Sequence, residues 1–127
     1  MTAIVTDPRT DLSVPLTEAQ LQAAVIQTAH VFGWRVAHFR PAKTSRGWRT
    51  AVAADGKGFP DLVLVHPGSG RLLFAELKSD RGKPSPEQEQ WLIALETTNA
   101  EVYVWTPADW PARITHVLTG RGVVKVA

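Results

Sequence analysis

Apolar positions along the chain recur first at helical spacing, then in short strand-like runs, then at helical spacing again. Leu21, Val25, Ala29 and Phe32 follow a helical repeat. Ahead of them, Thr17 with Gln20 three residues later has the form of a capping box, Leu16 and Leu21 stand where a hydrophobic staple would, and Gly33 supplies the stop. Trp34 to Phe39 alternates large and polar groups and reads as a strand. Further on, Leu62-Val63-Leu64-Val65 and Leu72-Leu73-Phe74-Ala75 are apolar runs separated by His66-Pro67-Gly68-Ser69-Gly70-Arg71, a hairpin turn by composition. Ser85-Pro86-Glu87-Gln88 then combines a cap, a proline at the first helical position and a glutamine three residues after the serine. In the helix that follows, Gln88, Trp91, Leu92 and Leu95 share a face, with Gln88 at the edge of the apolar stripe. Glu101 to Thr106 is a compact strand. Thr106-Pro107-Ala108-Asp109 has the form of another helix start, limited by Pro111, and Val123 to Val126 adds a candidate edge strand.

The predicted order is helix, three strands, helix, strand and a C-terminal helix. It describes an α/β fold with a mixed sheet flanked by helices. Residues 1–15 carry Pro8 and Pro15 without periodicity and are expected to be a flexible N-terminal arm, which leaves residues 16–127 as a single domain.

Composition narrows the chemistry. The chain has no cysteine, which excludes disulfides and thiolate metal sites, and His30, His38, His66 and His116 are too dispersed for a metal motif. It shows neither a basic leader with an apolar core nor a run long enough to span a bilayer, so the expected location is the cytoplasm, with no membrane partner. The net charge is only +2, but its distribution is uneven. Between Arg40 and Gly58, the basic residues Arg40, Lys43, Arg46, Arg49 and Lys57 face a single acid, Asp55. Such a stretch suits phosphate contacts, although any one of its members is also an ordinary surface residue. Trp48 within it can stack on an unpaired base or anchor the loop to the core.

The basic stretch leads into Gly58-Phe59-Pro60-Asp61, and Glu76-Leu77-Lys78 follows on the far arm of the hairpin. Pairing Val65 with Leu72 across a loop at Pro67 to Gly70 sets Asp61 opposite Glu76, at roughly 5 Å between Cβ atoms. Alternation turns Glu76 and Lys78 to one face and Leu77 to the other. Two carboxylates that close repel, which raises the pKa of one of them unless a cation lies between. Oxygen ligands favour Mg2+ or Mn2+, and Lys78 is placed to orient a water or neutralise charge in a transition state. The plainer alternative is a solvent-facing hairpin carrying a Glu-x-Lys pair.

Gly58-Phe59-Pro60-Asp61, Glu76-Leu77-Lys78, Gly82, Ser85, Gln88 and Trp91 together closely resemble the VRR-NUC branch of the PD-(D/E)xK nucleases, from about Thr17 to Leu118. The resemblance implies the restriction-endonuclease-like αβββαβ core, which matches the predicted order of elements. It also implies Asp61 and Glu76 as metal ligands with the Leu77 carbonyl as a third, Lys78 as the catalytic lysine, and Gln88 facing the site. Glu18 occupies the place of a further acidic ligand on the first helix, where the helix dipole also favours an acid. The implied activity is a Mg2+- or Mn2+-dependent deoxyribonuclease. Short chains of this type resemble phage-borne enzymes, so branched DNA such as a four-way junction is the expected substrate, in a bacterial or phage-infected cell. A homodimer is expected because paired incision needs two sites, with Trp110 to Val126 or the exposed side of the first helix as contact surface. The alternative is a DNA-binding subunit of a repair or packaging complex whose cleavage depends on a partner.

Overall fold

A computed structural model describes residues 15–39, 42–44, 47–49 and 53–120, with 42–44 and 47–49 described by backbone alone. The arm at 1–14, Arg40, Arg46 and the apolar tail at 123–126 lie outside the described residues.

The first helix, α1, spans Glu18–Val31 and begins as its cap predicts. Thr17 Oγ1 accepts from the Gln20 amide at 3.1 Å, and Gln20 Oε1 accepts from the Thr17 amide at 2.9 Å. It ends in a Schellman arrangement: Gly33, at φ +88°, donates to His30 O at 3.2 Å, and Trp34 donates to Ala29 O at 3.0 Å. Leu21, Ala24, Val25 and Ala29 are buried, but Phe32, read from the sequence as a continuation of that stripe, falls past the helix end and is 41% exposed.

The main sheet contains β1 (Arg35–His38), β4 (Leu62–His66), β5 (Arg71–Leu77) and β6 (Glu101–Trp105), in the order β1-β4-β5-β6. The first three strands are antiparallel, and β6 runs parallel to β5. Between β1 and β4 lies a two-stranded hairpin, β2 (Ala42–Thr44) paired with β3 (Gly47–Arg49), in a segment read from sequence as a loop. The parallel step from β5 to β6 is made through α2 (Pro86–Glu96). A short 3-10 turn, Pro107–Asp109, precedes α3 (Ala112–Thr119), so the helix start at Thr106 is interrupted before it becomes α-helical. The sequence-predicted αβββαβ core with a C-terminal helix is therefore present, with the β2–β3 hairpin inserted.

Strand alternation sorts the sheet into two unlike faces. Leu62, Leu64, Leu73, Ala75, Leu77 and Trp105 form one core with Leu21, Val25 and Ala29 of α1 and Ile114 and Leu118 of α3. Fully burying each of those leucines contributes roughly 1.5–3 kcal/mol relative to leaving it exposed. Helix α2 lies over the other face and is only half-buried there, through Gln88, Trp91, Leu92 and Leu95.

Charge is also used structurally. Arg71 reaches Glu101 with two hydrogen bonds of 2.7 Å, from Nε and Nη2, and its Nη1 donates to the carbonyls of Val117 and Gly120 at 2.8 Å. The guanidinium also sits over Trp34, 4.9 Å from the ring centre, and Trp34 donates to Leu118 O at 3.0 Å. One arginine thus joins β5, β6, the end of α3 and the α1–β1 turn.

Candidate active site

The register of the β4–β5 hairpin is the one the turn length predicts: Val65 pairs with Leu72 and Leu62 with Ala75, which places Asp61 and Glu76 opposite each other one step further on. Strand β4 stops at Leu62, so the ladder ends there, and the Asp61 carboxylate takes the next bond itself. Its Oδ2 accepts from the Leu77 amide at 2.9 Å. The Lys78 amide donates sideways to Trp105 O at 2.9 Å, so alternation turns both the N–H and the C=O of Leu77 to the Asp61 side. The Leu77 carbonyl therefore lies on the Asp61 side of β5.

Glu76 is 1% exposed and lies on the face covered by α2. Its Oε2 accepts from Gln88 Nε2 at 2.8 Å and stands 3.6 Å from Lys78 Nζ. Its Oε1 is buried with no hydrogen-bond partner among the described residues. Burial first, and the Asp61 charge second, push its pKa from 4.5 to about 8, against the opposing pull of Lys78. Metal-free Glu76 is thus held largely protonated at neutral pH. This is the electrostatic conflict that the hairpin register predicts for two facing carboxylates.

Gln88 has two tasks. Its Oε1 accepts from the Ser85 amide at 2.8 Å and its own amide donates to Ser85 Oγ at 3.2 Å, which completes the cap of α2 while Nε2 remains on Glu76. The start of α2 is fixed in turn by Gly58. At φ +86°, Gly58 packs so closely that an added Cβ would meet the Glu87 carbonyl carbon at 2.6 Å and the Gln88 nitrogen at 2.7 Å. Only glycine fits there, which gives the first residue of Gly58-Phe59-Pro60-Asp61 a steric reason. Phe59 meets Trp91 edge-on at 5.0 Å, and Trp91 Nε1 donates to Asp55 O at 2.9 Å. The loop ahead of Asp61 is therefore clamped to the helix that carries Gln88.

The structure brings together Asp61, Glu76, Leu77, Lys78 and Gln88. It does not gather Glu18 with them: Glu18 is exposed in the first turn of α1, and among the described residues no group of three or more histidine, aspartate or glutamate side chains is placed to hold an ion. Two carboxylates and a carbonyl are nevertheless a donor set that fits magnesium or manganese, which retain several waters, and the orphaned Glu76 oxygen is the atom such an ion would satisfy.

Of the basic stretch, Lys43 and Arg49 lie on β2 and β3, with Lys43 opposite Trp48 and Arg49 opposite Ala42 in the backbone register. Lys57 is exposed and pairs with Glu87 at 3.4 Å, a surface ion pair of small energy. Sequence reasoning assigned no role to the aromatic contacts of Phe59 or to Phe39, whose ring meets Phe59 edge-on at 5.6 Å. A signal for Phe59 was present in its place beside Asp61; Phe39 had none, because the long β1–β4 connection leaves that register open.

A VRR-NUC domain model matches residues 16–109. A solved structure described as a VRR_NUC domain aligns with a TM-score of 0.52 at 23% identity, covering 70% of this chain and 84% of that one, a likeness of fold. Another, described as a VRR_NUC domain protein, aligns with a TM-score of 0.46 at 22% identity, over 73% of this chain and 79% of that one. None of the curated proteins matches the chain.

Proposed function

The chain belongs to the VRR-NUC domain family of PD-(D/E)xK nucleases, and on that premise we propose that it is a magnesium- or manganese-dependent endonuclease that hydrolyses phosphodiester bonds in branched DNA. The observation that carries this reading is the Asp61 carboxylate facing a buried Glu76 whose Oε1 meets no hydrogen-bond partner among the described residues.

Asp61, Glu76 and the Leu77 carbonyl would hold the ion. When bound, a divalent ion polarises the scissile phosphate and acidifies a water. Gln88 keeps Glu76 oriented through the 2.8 Å bond from Nε2. Lys78, mostly buried beside Glu76, orients the attacking water or neutralises charge developing on the phosphate oxygens. Arg40, Lys43, Arg46, Arg49 and Lys57 supply flanking phosphate contacts, whose bonds position the DNA without reading its sequence.

The proposed active species is a homodimer, since paired incision of a four-way junction needs two sites at a fixed separation. Of the two expected contact surfaces, the one beginning at Trp110 is described only to Gly120, and there Ile114 and Leu118 belong to the core. The other keeps exposed apolar groups, Val31 and Phe32, at the end of α1. Among the described residues no helix is long and apolar enough to cross a membrane, and the proposed location is the cytoplasm of a bacterial or phage-infected cell.

The test is a cleavage panel of junction, flap, single-stranded and linear duplex DNA, with and without magnesium or manganese. Metal-dependent cutting of the branched substrates is expected. Binding without cleavage under every condition would move the chain to the alternative of a DNA-binding subunit that needs a partner. Sedimentation with and without junction DNA checks the dimer.

A further inference from the structure

Phe39 is 43% exposed at the end of β1. Its amide donates to Asp61 O at 3.2 Å, which continues the β1–β4 pairing one step beyond His38 and Leu62. The register then runs straight across the sheet: Phe39 beside Asp61, Asp61 beside Glu76, and Glu76 beside Val104. Neighbouring strands lie about 4.8 Å apart, so an exposed aromatic ring flanks the carboxylates on their own face, one strand spacing from Asp61 and two from Glu76.

Among the described residues, the ring contact of Phe39 is with Phe59. Phe59 meets it edge-on at 5.6 Å and is itself held by Phe74 at 5.8 Å and Trp91 at 5.0 Å. A ring fixed beforehand and 43% exposed loses little freedom when a flat group stacks on it. The group available beside a phosphate is a nucleobase, and the segment that follows Phe39 begins the basic stretch at Arg40. Bases of a continuous duplex already stack on one another, so only an unpaired or extruded base offers a face to a side chain.

Resting on the nuclease reading, we infer that Phe39 is a stacking platform for an unpaired base adjoining the phosphate held at Asp61 and Glu76. The site then takes DNA that is single-stranded or opened at the scissile phosphate in preference to continuous duplex. Phe39 is a specificity-determining residue in this account, since the ring touches the substrate's base and leaves the phosphate to the carboxylates.

The experiment compares the wild-type chain with Phe39→Leu and Phe39→Trp, binding oligonucleotides of one sequence in single-stranded, forked and continuous duplex form. Calcium replaces magnesium so that binding is read without turnover, and 2-aminopurine is placed in turn at each base near the fork. Phe39→Leu should lose about tenfold in affinity for the single-stranded and forked DNA, with little change for duplex, and Phe39→Trp should restore it. The 2-aminopurine emission quenched at one position by the wild type should recover with leucine and be quenched again with tryptophan. Equal losses on all three DNAs, or none, would overturn the inference. So would a change in the sedimentation of the DNA-free chain with Phe39→Leu at unaltered DNA preference, which would assign the ring to a protein contact. Because no arm depends on cutting, selective binding through Phe39 by a chain that cleaves nothing would uphold the inference and sink the nuclease reading alone.

Discussion

Gln88 holds Glu76 from the same side chain that starts its helix: Nε2 donates to the buried carboxylate at 2.8 Å while Oε1 accepts from the Ser85 amide at 2.8 Å. The two tasks can be separated by chemistry. Gln88→Glu keeps an acceptor for the Ser85 amide but has no donor for Glu76 and adds a third negative charge. Thermal stability with the metal bound should change little, whereas metal affinity or cleavage should fall about 10- to 100-fold. Parallel calorimetry and cleavage assays check it, and an unimpaired Gln88→Glu enzyme would remove Gln88 from the site.

For the carboxylates, conservative amides are cleaner probes than alanine, because Asp61 also accepts the Leu77 amide at 2.9 Å. Asp61→Asn retains that acceptor. Asp61→Asn and Glu76→Gln should each abolish cleavage and weaken manganese binding, measured by titration calorimetry, with the fold intact. Lys78→Met should differ, losing turnover by about 10²-fold or more while keeping metal affinity. Full activity in either amide variant would refute the proposed ligand set.

The raised pKa of Glu76 sets a pH dependence with a definite sign. Its folded value, about 8, lies above the ordinary 4.5, so the folded metal-free protein binds the extra proton. The associated stability is fully present below about pH 4.5, declines as pH rises, and is gone above about pH 8. Melting temperature without metal should fall across that window in the wild type and stay flatter in Glu76→Gln. Adding metal near neutral pH should release a proton, detectable in weakly buffered solution.

Arg71 provides a test of the fold alone. Both its side chain and that of Glu101 are nearly buried, so Arg71→Ala leaves a charge enclosed without its partner and frees the carbonyls at the end of α3. A loss of about 3–5 kcal/mol in urea unfolding is expected. Arg71→Met combined with Glu101→Gln should recover much of it, since neither charge then remains.

The basic stretch is probed by salt. Neutralising Arg46 and Arg49 together should lower the slope of log affinity against log salt by roughly one unit for each phosphate that no longer has a cationic partner, and leave turnover at saturating DNA unchanged. An unaltered slope would return these residues to the ordinary surface.

The parts of the structure legible in the sequence are those governed by short-range rules. The turn from Pro67 to Gly70 fixes the β4–β5 register, and that register alone sets Asp61 against Glu76. Thr17–Gln20 and Ser85–Gln88 mark their helix starts through bonds spanning three residues. What was not legible depends on distant partners. Between Thr44 and Gly47 the sequence has Ser45-Arg46, which carries none of the Gly or Asn cues of tight hairpins, and β2 and β3 are too short to show a period. Nothing in the turn composition around Arg71 tells that its partners lie at Glu101 and at Val117 and Gly120. Phe32 continues the helical spacing of α1 by number, but the helix ends at Val31 and Phe32 is its C-cap, ahead of the left-handed Gly33.

Gly58 has a consequence for how such a protein can diversify. Phe39 is tied to the Asp61 carbonyl, and from Asp55 onward the chain is fastened to α2 through Trp91 and the close seat of Gly58. Both ends of the segment at 40–52 are therefore anchored by residues outside it. Lengthening such a segment adds only about 0.6 kcal/mol of closure entropy per doubling. The segment can consequently be exchanged or lengthened at little cost while the pair of carboxylates stays unaltered.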